Sequence, residues 1–459
     1  MDDEAGRAGP AGRPLDQAPP RSAPTPVEHS SRVATLDVLR GFALLGILAV
    51  NVESFSGPES MHDIPVGMVR PAFVGWHAHL DIAILVIKWA FVEGKMRAMF
   101  GMLFGAGVVL LTDRIEQRAG AGEVADIYVR RNMWLGLFGL IHGTLIWEGD
   151  ILLQYALCAL LFLYPFRRLA ARKLIGIGMA IWIIGGTYGV LNFFDASRVI
   201  AQAQVLASAQ MVQRVGATLT PAQHAALANE LAISRAKPAA IAAAAQAGRR
   251  DYLDSLADRA DSDVSFVYHV FRCGWIAEVV GCMLVGMGLF RCGFLSGRLS
   301  SRTYVLTAVI GYAVAWPTVI IGIWQTKLAG FSDAAAMRWM WAPYDVEQAA
   351  GTLANAAIVI LIIKSGSLRT LTGALQSVGR TALSNYIATS VFCQVIFCWG
   401  PLKLFGTLQY YQELYVVLAF WSLSLVTSSV WLQHFTYGPL EWLWRSLTYA
   451  KRQPFKIIV

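Results

Sequence analysis

Histidine is the side chain that most readily moves a proton near neutral pH. His142 stands in an otherwise apolar stretch, Leu135 to Trp147, and Asp150 follows eight residues later, past the dipeptide Glu148-Gly149. If that dipeptide is a tight helical hairpin, the Asp150 carboxylate can reach back and orient the imidazole as a general base. The plainer readings are an interior histidine satisfied by a hydrogen bond and an aspartate that caps the next helix. Asp37 and Arg40 are spaced i, i+3, so they share a helix face and can pair. Arg40 equally suits a phosphate or carboxylate ligand; a simple end-of-helix ion pair is the alternative. Asn51, at the other end of the same segment, could line an outer cavity. Glu278 sits mid-run and needs a partner on another helix or a proton of its own. In Trp76-His77-Ala78-His79-Leu80-Asp81 the two histidines are at i, i+2 and do not share a helix face, which favours polar interface residues over a zinc site. Asn355, Asn385 and Gln394 read as interhelical hydrogen bonders. The sequence carries no phosphate-binding glycine loop, nucleophile elbow or metal triad, and its six cysteines include no C-x-x-C pair.

The elements that position these residues follow from composition. Of 459 residues, 56% are hydrophobic and only 15% charged, against 38 Lys+Arg and 30 Asp+Glu. Soluble domains carry about 25% charged residues. The mean hydropathy is +0.50. Soluble globular, wholly disordered, collagenous and disulfide-scaffold classes are excluded, and a polytopic all-α transmembrane helix bundle in a lipid bilayer is expected. The net charge of +8 does not indicate nucleic acid, because the basic residues lie in short clusters between apolar runs, as topology signals do.

Residues 1–34, rich in Ala, Pro and Gly, read as a disordered cytoplasmic tail rather than a signal peptide. Ten segments qualify as membrane helices: 35–53, 95–112, 131–147, 150–165, 173–194, 268–290, 303–324, 347–364, 381–399 and 411–432. Basic residues mark alternate connections: Arg167, Arg168 and Arg172; Arg291, Arg298 and Arg302; Arg369 and Arg380; and Lys451, Arg452 and Lys456 in the tail 450–459. That side is expected to be cytoplasmic, with both termini there, in a bacterial cytoplasmic (inner) membrane. Residues 80–94 then form a helix that lies at the outer interface or dips into the membrane, since two crossings in 80–112 would break the charge alternation. The chain divides into N-terminal membrane helices, 35–194, an extracytoplasmic Ala-rich insert, 195–267, and C-terminal membrane helices, 268–449. Thr220-Pro221 supplies a cap and first-turn proline, so short helices are expected in the insert. Pro439 to Tyr449, rich in Trp, is expected to be an interfacial anchor with a Glu441–Arg445 pair at i, i+4.

Three groups of stretches carry a family resemblance. They are LDVLRGFALLGI at 36–47; GKMRAMFGMLFGAG at 94–107 with GLIHGTLIWEGDIL at 139–152; and GRTALSNY at 379–386 with GPLEWLWR at 438–445. Together they resemble the YeiB family of bacterial membrane proteins, whose C-terminal part is a domain of unknown function. The resemblance covers residues 36 to about 449 and is weakest in the insert. It implies kinship to a transmembrane acyltransferase superfamily that includes the heparan glucosaminide acetyltransferases and surface-polysaccharide O-acyltransferases. Such enzymes take an acyl group from cytoplasmic acyl-CoA and pass it to a hydroxyl or amine on the far side of the membrane. They use a histidine at the transfer site and a first-helix arginine on the donor side. Arg40 matches that arginine. Asn51 stands where the O-acyltransferase branch has its histidine, His77 or His79 is a loose match to the glucosaminide branch, and His142 belongs to the YeiB pattern itself.

The resulting expectation is a membrane acyltransferase with no permanently bound cofactor. Acyl-CoA is the donor, met by Arg40 and Arg97. An extracytoplasmic glycan or small molecule is the acceptor, and His142 and Asp150 do the chemistry. A transporter or flippase using Glu278, His142 and Asp37/Arg40, or a non-catalytic scaffold, is the alternative. No metal is expected.

Overall fold

The protein was analysed as a computed structural model, which describes residues 34–58, 72–249, 252, 253, 256 and 275–457. The expected tail up to residue 33, most of 250–267 and the start of the 268–290 helix lie outside the described residues. Among the described residues the chain is helical throughout, with one isolated β-bridge, Phe435 to Lys456. Among the described residues six stretches are long and apolar enough to cross a membrane: Ala34–Ser56, Gly75–Ala119, Ser301–Leu328, Tyr344–Ser365, Ala382–Trp399 and Tyr410–His434. That is fewer than the ten expected.

The difference has local causes. Helix α1 is Ala34–Ser56. The stretch Gly75–Ala119 is two helices, α2 (Ala78–Ile87) and α3 (Lys95–Ala119). A π turn, Lys88–Val92, and a break at Gly94 with φ +67 separate them. A side chain at Gly94 would also collide with the Tyr344 hydroxyl. Helix α4 (Gly122–Leu145) holds Arg130, Arg131, Asn132 and His142, which dilute its apolar run. Helix α5 is only Leu152–Cys158, continued by a π turn and then a 3-10 turn containing Pro165. Helix α6 runs unbroken from Ala171 to Arg214, because nothing in that span stops a helix, and carries the chain well into the insert. Helix α7 (Pro221–Ala247) follows, its Thr220 side chain accepting from the Gln223 N–H in a capping box. The insert therefore contains long helices rather than short ones. Helix α8 (Trp275–Arg291) has 17 described residues.

The remaining helices are α9 (Ser301–Leu328), α10 (Tyr344–Ser365), α11 (Arg369–Arg380), α12 (Ala382–Gln394, extended by a π turn to Trp399), α13 (Tyr410–His434) and α14 (Pro439–Thr448). Helix α11 fills a connection read from the sequence as a loop; Arg369, Arg380 and its polar face line one side and Leu375 and Val378 pack inward. The closest packing joins α6 to α8, α9 to α10, α3 to α8 and α1 to α11. Glycines make these approaches possible: a Cβ on Gly105 would strike the Met283 carbonyl, one on Gly286 the Met102 carbonyl, and one on Gly379 the Asp37 carbonyl. Many apolar side chains on α9 face outward, among them Val309, Ile310, Ile320 and Ile321, as suits a helix set against lipid. The end of the bundle where α1 begins is called the near end below, and the end where α1 stops the far end.

Candidate functional site

The turn between α4 and α5 folds Asp150 back onto α4. Its Oδ2 accepts from the Leu153 N–H at 2.7 Å, which fixes the carboxylate at the start of α5. Its Oδ1 lies 2.9 Å from His142 Nδ1. On the other side of the ring, His142 Nε2 lies 2.9 Å from Ser390 Oγ on α12. With a carboxylate on Nδ1, the proton of a neutral imidazole sits there, and Nε2 is left to accept from the serine hydroxyl. Asp150, His142 and Ser390 thus form a continuous relay in which the serine proton has a base. His142 is fully buried, Ser390 1% and Asp150 3% exposed. Tyr386 packs its ring 5.0 Å from the imidazole; its hydroxyl accepts from the Ile151 N–H at 3.2 Å and donates to Asp150 Oδ1 at 3.5 Å. Trp147 stands edge-on to the imidazole, its ring tilted against Phe55 of α1 at 4.2 Å.

At the near end, Arg40 Nη1 and Asp37 Oδ1 pair at 2.8 Å, with Arg40 about a quarter exposed. Three more guanidiniums converge on them from distant parts of the chain. Arg131 of α4 faces both Arg40 and Arg445 of α14, and Arg380 of α11 faces Asp37. Arg131 is stacked over Trp444 at 3.6 Å and Arg445 over Tyr437 at 4.8 Å, which holds both planes in place. The Glu441–Arg445 pair is not made. Glu441 turns instead to the start of α12, where it accepts from the Leu383 and Ser384 N–H groups and the Ser384 hydroxyl at 2.6–3.0 Å. Those three donors satisfy it better than one half-buried arginine could, although burial still pushes its carboxyl above the ordinary range.

Arg97 is not at the near end. It opens α3, whose neighbouring Met96 packs on Gly46 in the middle of α1, and it pairs there with Glu278 at 3.2 Å beneath the Trp275 ring. Gln348 donates to Glu278 at 2.9 Å. Arg97 and Glu278 therefore satisfy each other away from the near end, and Arg97 does not join Arg40. Asn51 is half-buried near the far end of α1. His77 pairs with Asp81 at 2.7 Å, while His79 is exposed. Among the described residues no group of His, Cys, Asp and Glu is arranged to hold a metal ion.

Several ionisable residues that sequence reasoning passed over are also buried together at the far end: Glu53, Lys88, Glu93, Lys95, Glu347 and Glu413. The rule applied to Glu278, that charge inside an apolar run needs a partner or a role, would have marked each of them. Ser390 had no comparable signal, because a serine in a membrane-type helix is commonly satisfied by its own backbone.

Fold and site together define a helical membrane-type protein with a buried Asp–His–Ser relay and an arginine cluster at one end. Residues 289–451 match the family described as "Protein of unknown function (DUF418)". The chain is 28% identical over 430 residues to "Uncharacterized protein YxaH" of Bacillus subtilis (strain 168), covering 94% of this chain and 97% of that one. It is 28% identical over 438 residues to "Uncharacterized protein YeiB" of Escherichia coli (strain K12), covering 92% and 98%. No solved structure matches. Over more than nine-tenths of its length the chain is thus similar to the YeiB and YxaH proteins, and its C-terminal third matches the family of unknown function.

Proposed function

We propose that this protein is an integral-membrane acyltransferase that moves an acyl group from acyl-CoA, bound at the near end, to an acceptor reached from the far end. The observation that carries the reading is the Asp150–His142–Ser390 alignment. His142 Nε2 takes the Ser390 proton as the hydroxyl oxygen attacks the thioester carbonyl. The proton passes to the departing thiolate, leaving free coenzyme and an acyl-serine. The acceptor hydroxyl or amine then attacks that ester, His142 takes its proton and Ser390 regains one. Arg131 and His142 lie on the same helix eleven residues apart, roughly 16 Å along its axis at ~1.5 Å per residue. An extended pantetheine arm covers that distance, with the arginines on its phosphates.

In this reading the bundle has ten membrane helices, α4, the 152–168 stretch, α6 and α8 joining the six apolar ones. The basic near end and both termini are cytoplasmic in a bacterial inner membrane, and the insert 195–267 is extracytoplasmic. The acceptor is a glycan or small molecule. A transporter or flippase is the second reading, favoured by the buried charges at the far end. Release of free coenzyme thiol from acyl-CoA by purified protein separates the two: the acyltransferase reading predicts release that His142→Ala abolishes, and no protein-dependent release with any of several acceptors overturns it.

A further inference from the structure

The far-end charges form one mixed cluster contributed by separate elements. Glu53 comes from α1, Lys88 and Glu93 from the π turn and its end, Lys95 from α3, Glu347 from α10 and Glu413 from α13. None is more than 6% exposed. Lys88 Nζ lies 2.5 Å from Glu53 and 3.9 Å from Glu93. Lys95 pairs with Glu347 and also donates to the Trp89 carbonyl at 2.6 Å. Glu413 faces Glu53 and Lys88 and accepts from the Ser56 hydroxyl at 2.5 Å. Four carboxyl groups thus meet two ammonium groups.

Among the described residues, the charged groups around the cluster do not correct that imbalance. Arg97 is matched by Glu278, Asp345 beside them is another acid, and His77 is matched by Asp81. Tyr344 and Tyr410 are the remaining titratable neighbours. The Tyr410 hydroxyl, on a residue 3% exposed, faces Glu53 and Glu413 yet makes no aligned hydrogen bond among the described residues. Two uncompensated carboxylates this deep would be strongly unfavourable, and no metal-binding arrangement occurs among the described residues.

We propose that this cluster is a proton-binding site, in which Glu413 and one further carboxyl are carried as neutral acids that exchange with solvent at the far end. This site stands independently of the acyl-transfer reading.

Infrared difference spectroscopy on the full-length protein in lipid tests it. At neutral pH the protein should show a protonated-carboxyl stretch that shifts within minutes of transfer to D2O. Glu413→Gln, which mimics a neutral acid, should remove much of that band and leave the melting temperature unchanged. Glu347→Gln, which deprives Lys95 of its partner, should lower the melting temperature. Absence of the band, a band that does not shift, or its full persistence in Glu413→Gln overturns the proposal.

Discussion

Replacing Asp150 by Asn keeps the size and shape of the side chain and changes only what it can accept. Asp150 takes two strong hydrogen bonds, from the Leu153 N–H at 2.7 Å and from His142 Nδ1 at 2.9 Å. Asn has one carbonyl oxygen, so it serves one donor and turns an NH2 toward the other. If the carbonyl keeps Leu153, the amide donates to His142 Nδ1. The imidazole must then carry its proton on Nε2, where it donates to Ser390 instead of accepting from it. The relay is reversed without being displaced. Stability should fall by about 1–3 kcal/mol, the magnitude for one imperfectly satisfied buried group, while nucleophilic reactivity of Ser390 should fall by about 10²–10⁴. A fluorophosphonate reagent reads that reactivity, with the labelled Ser390 peptide quantified by mass spectrometry and folding followed by thermal unfolding in detergent. A folded Asp150→Asn protein that labels Ser390 at the rate of the natural chain would refute the assignment of His142 as the serine's base.

The remaining predictions concern charge and topology. Lys95→Met should destabilise by about 3–5 kcal/mol, because it strands the Glu347 carboxylate; the double variant with Glu347→Gln should recover most of the loss in the same thermal assay. Arg40→Ala should weaken acyl-CoA binding about tenfold in calorimetric titration, since it removes one charge-assisted phosphate contact worth about 1.4 kcal/mol, and the deficit should shrink as salt is raised. In intact cells, a cysteine at position 230 should react with an impermeant reagent and one at position 298 should not; the reverse pattern contradicts the orientation.

Local information carried some of this architecture well. The α1 apolar run, the Asp37–Arg40 spacing, the Thr220 cap and the approach of Asp150 to His142 across a short turn all depend on residues within a helical turn or one connection. The parts that were not legible depend on helix register across the bundle. Ser390 meets His142 over 248 positions, and Arg40, Arg131, Arg380 and Arg445 converge from four elements. Arg97 was grouped with Arg40 because both are basic and precede apolar stretches; the packing of Met96 on Gly46 sets it deeper, beside Glu278. Among the described residues fewer stretches than ten are long and apolar enough to cross a membrane, because polar residues interrupt α4 and α5 is short.

The most direct test is to trap the acyl group itself. Purified protein in lipid would be mixed with acyl-CoA bearing an isotopically labelled acyl chain, without acceptor, quenched in acid and digested. The account predicts the label as an ester on the peptide containing Ser390, absent from Ser390→Ala and His142→Ala proteins that still bind acyl-CoA. Coenzyme release with no label on that peptide, or label that survives in Ser390→Ala, would contradict it.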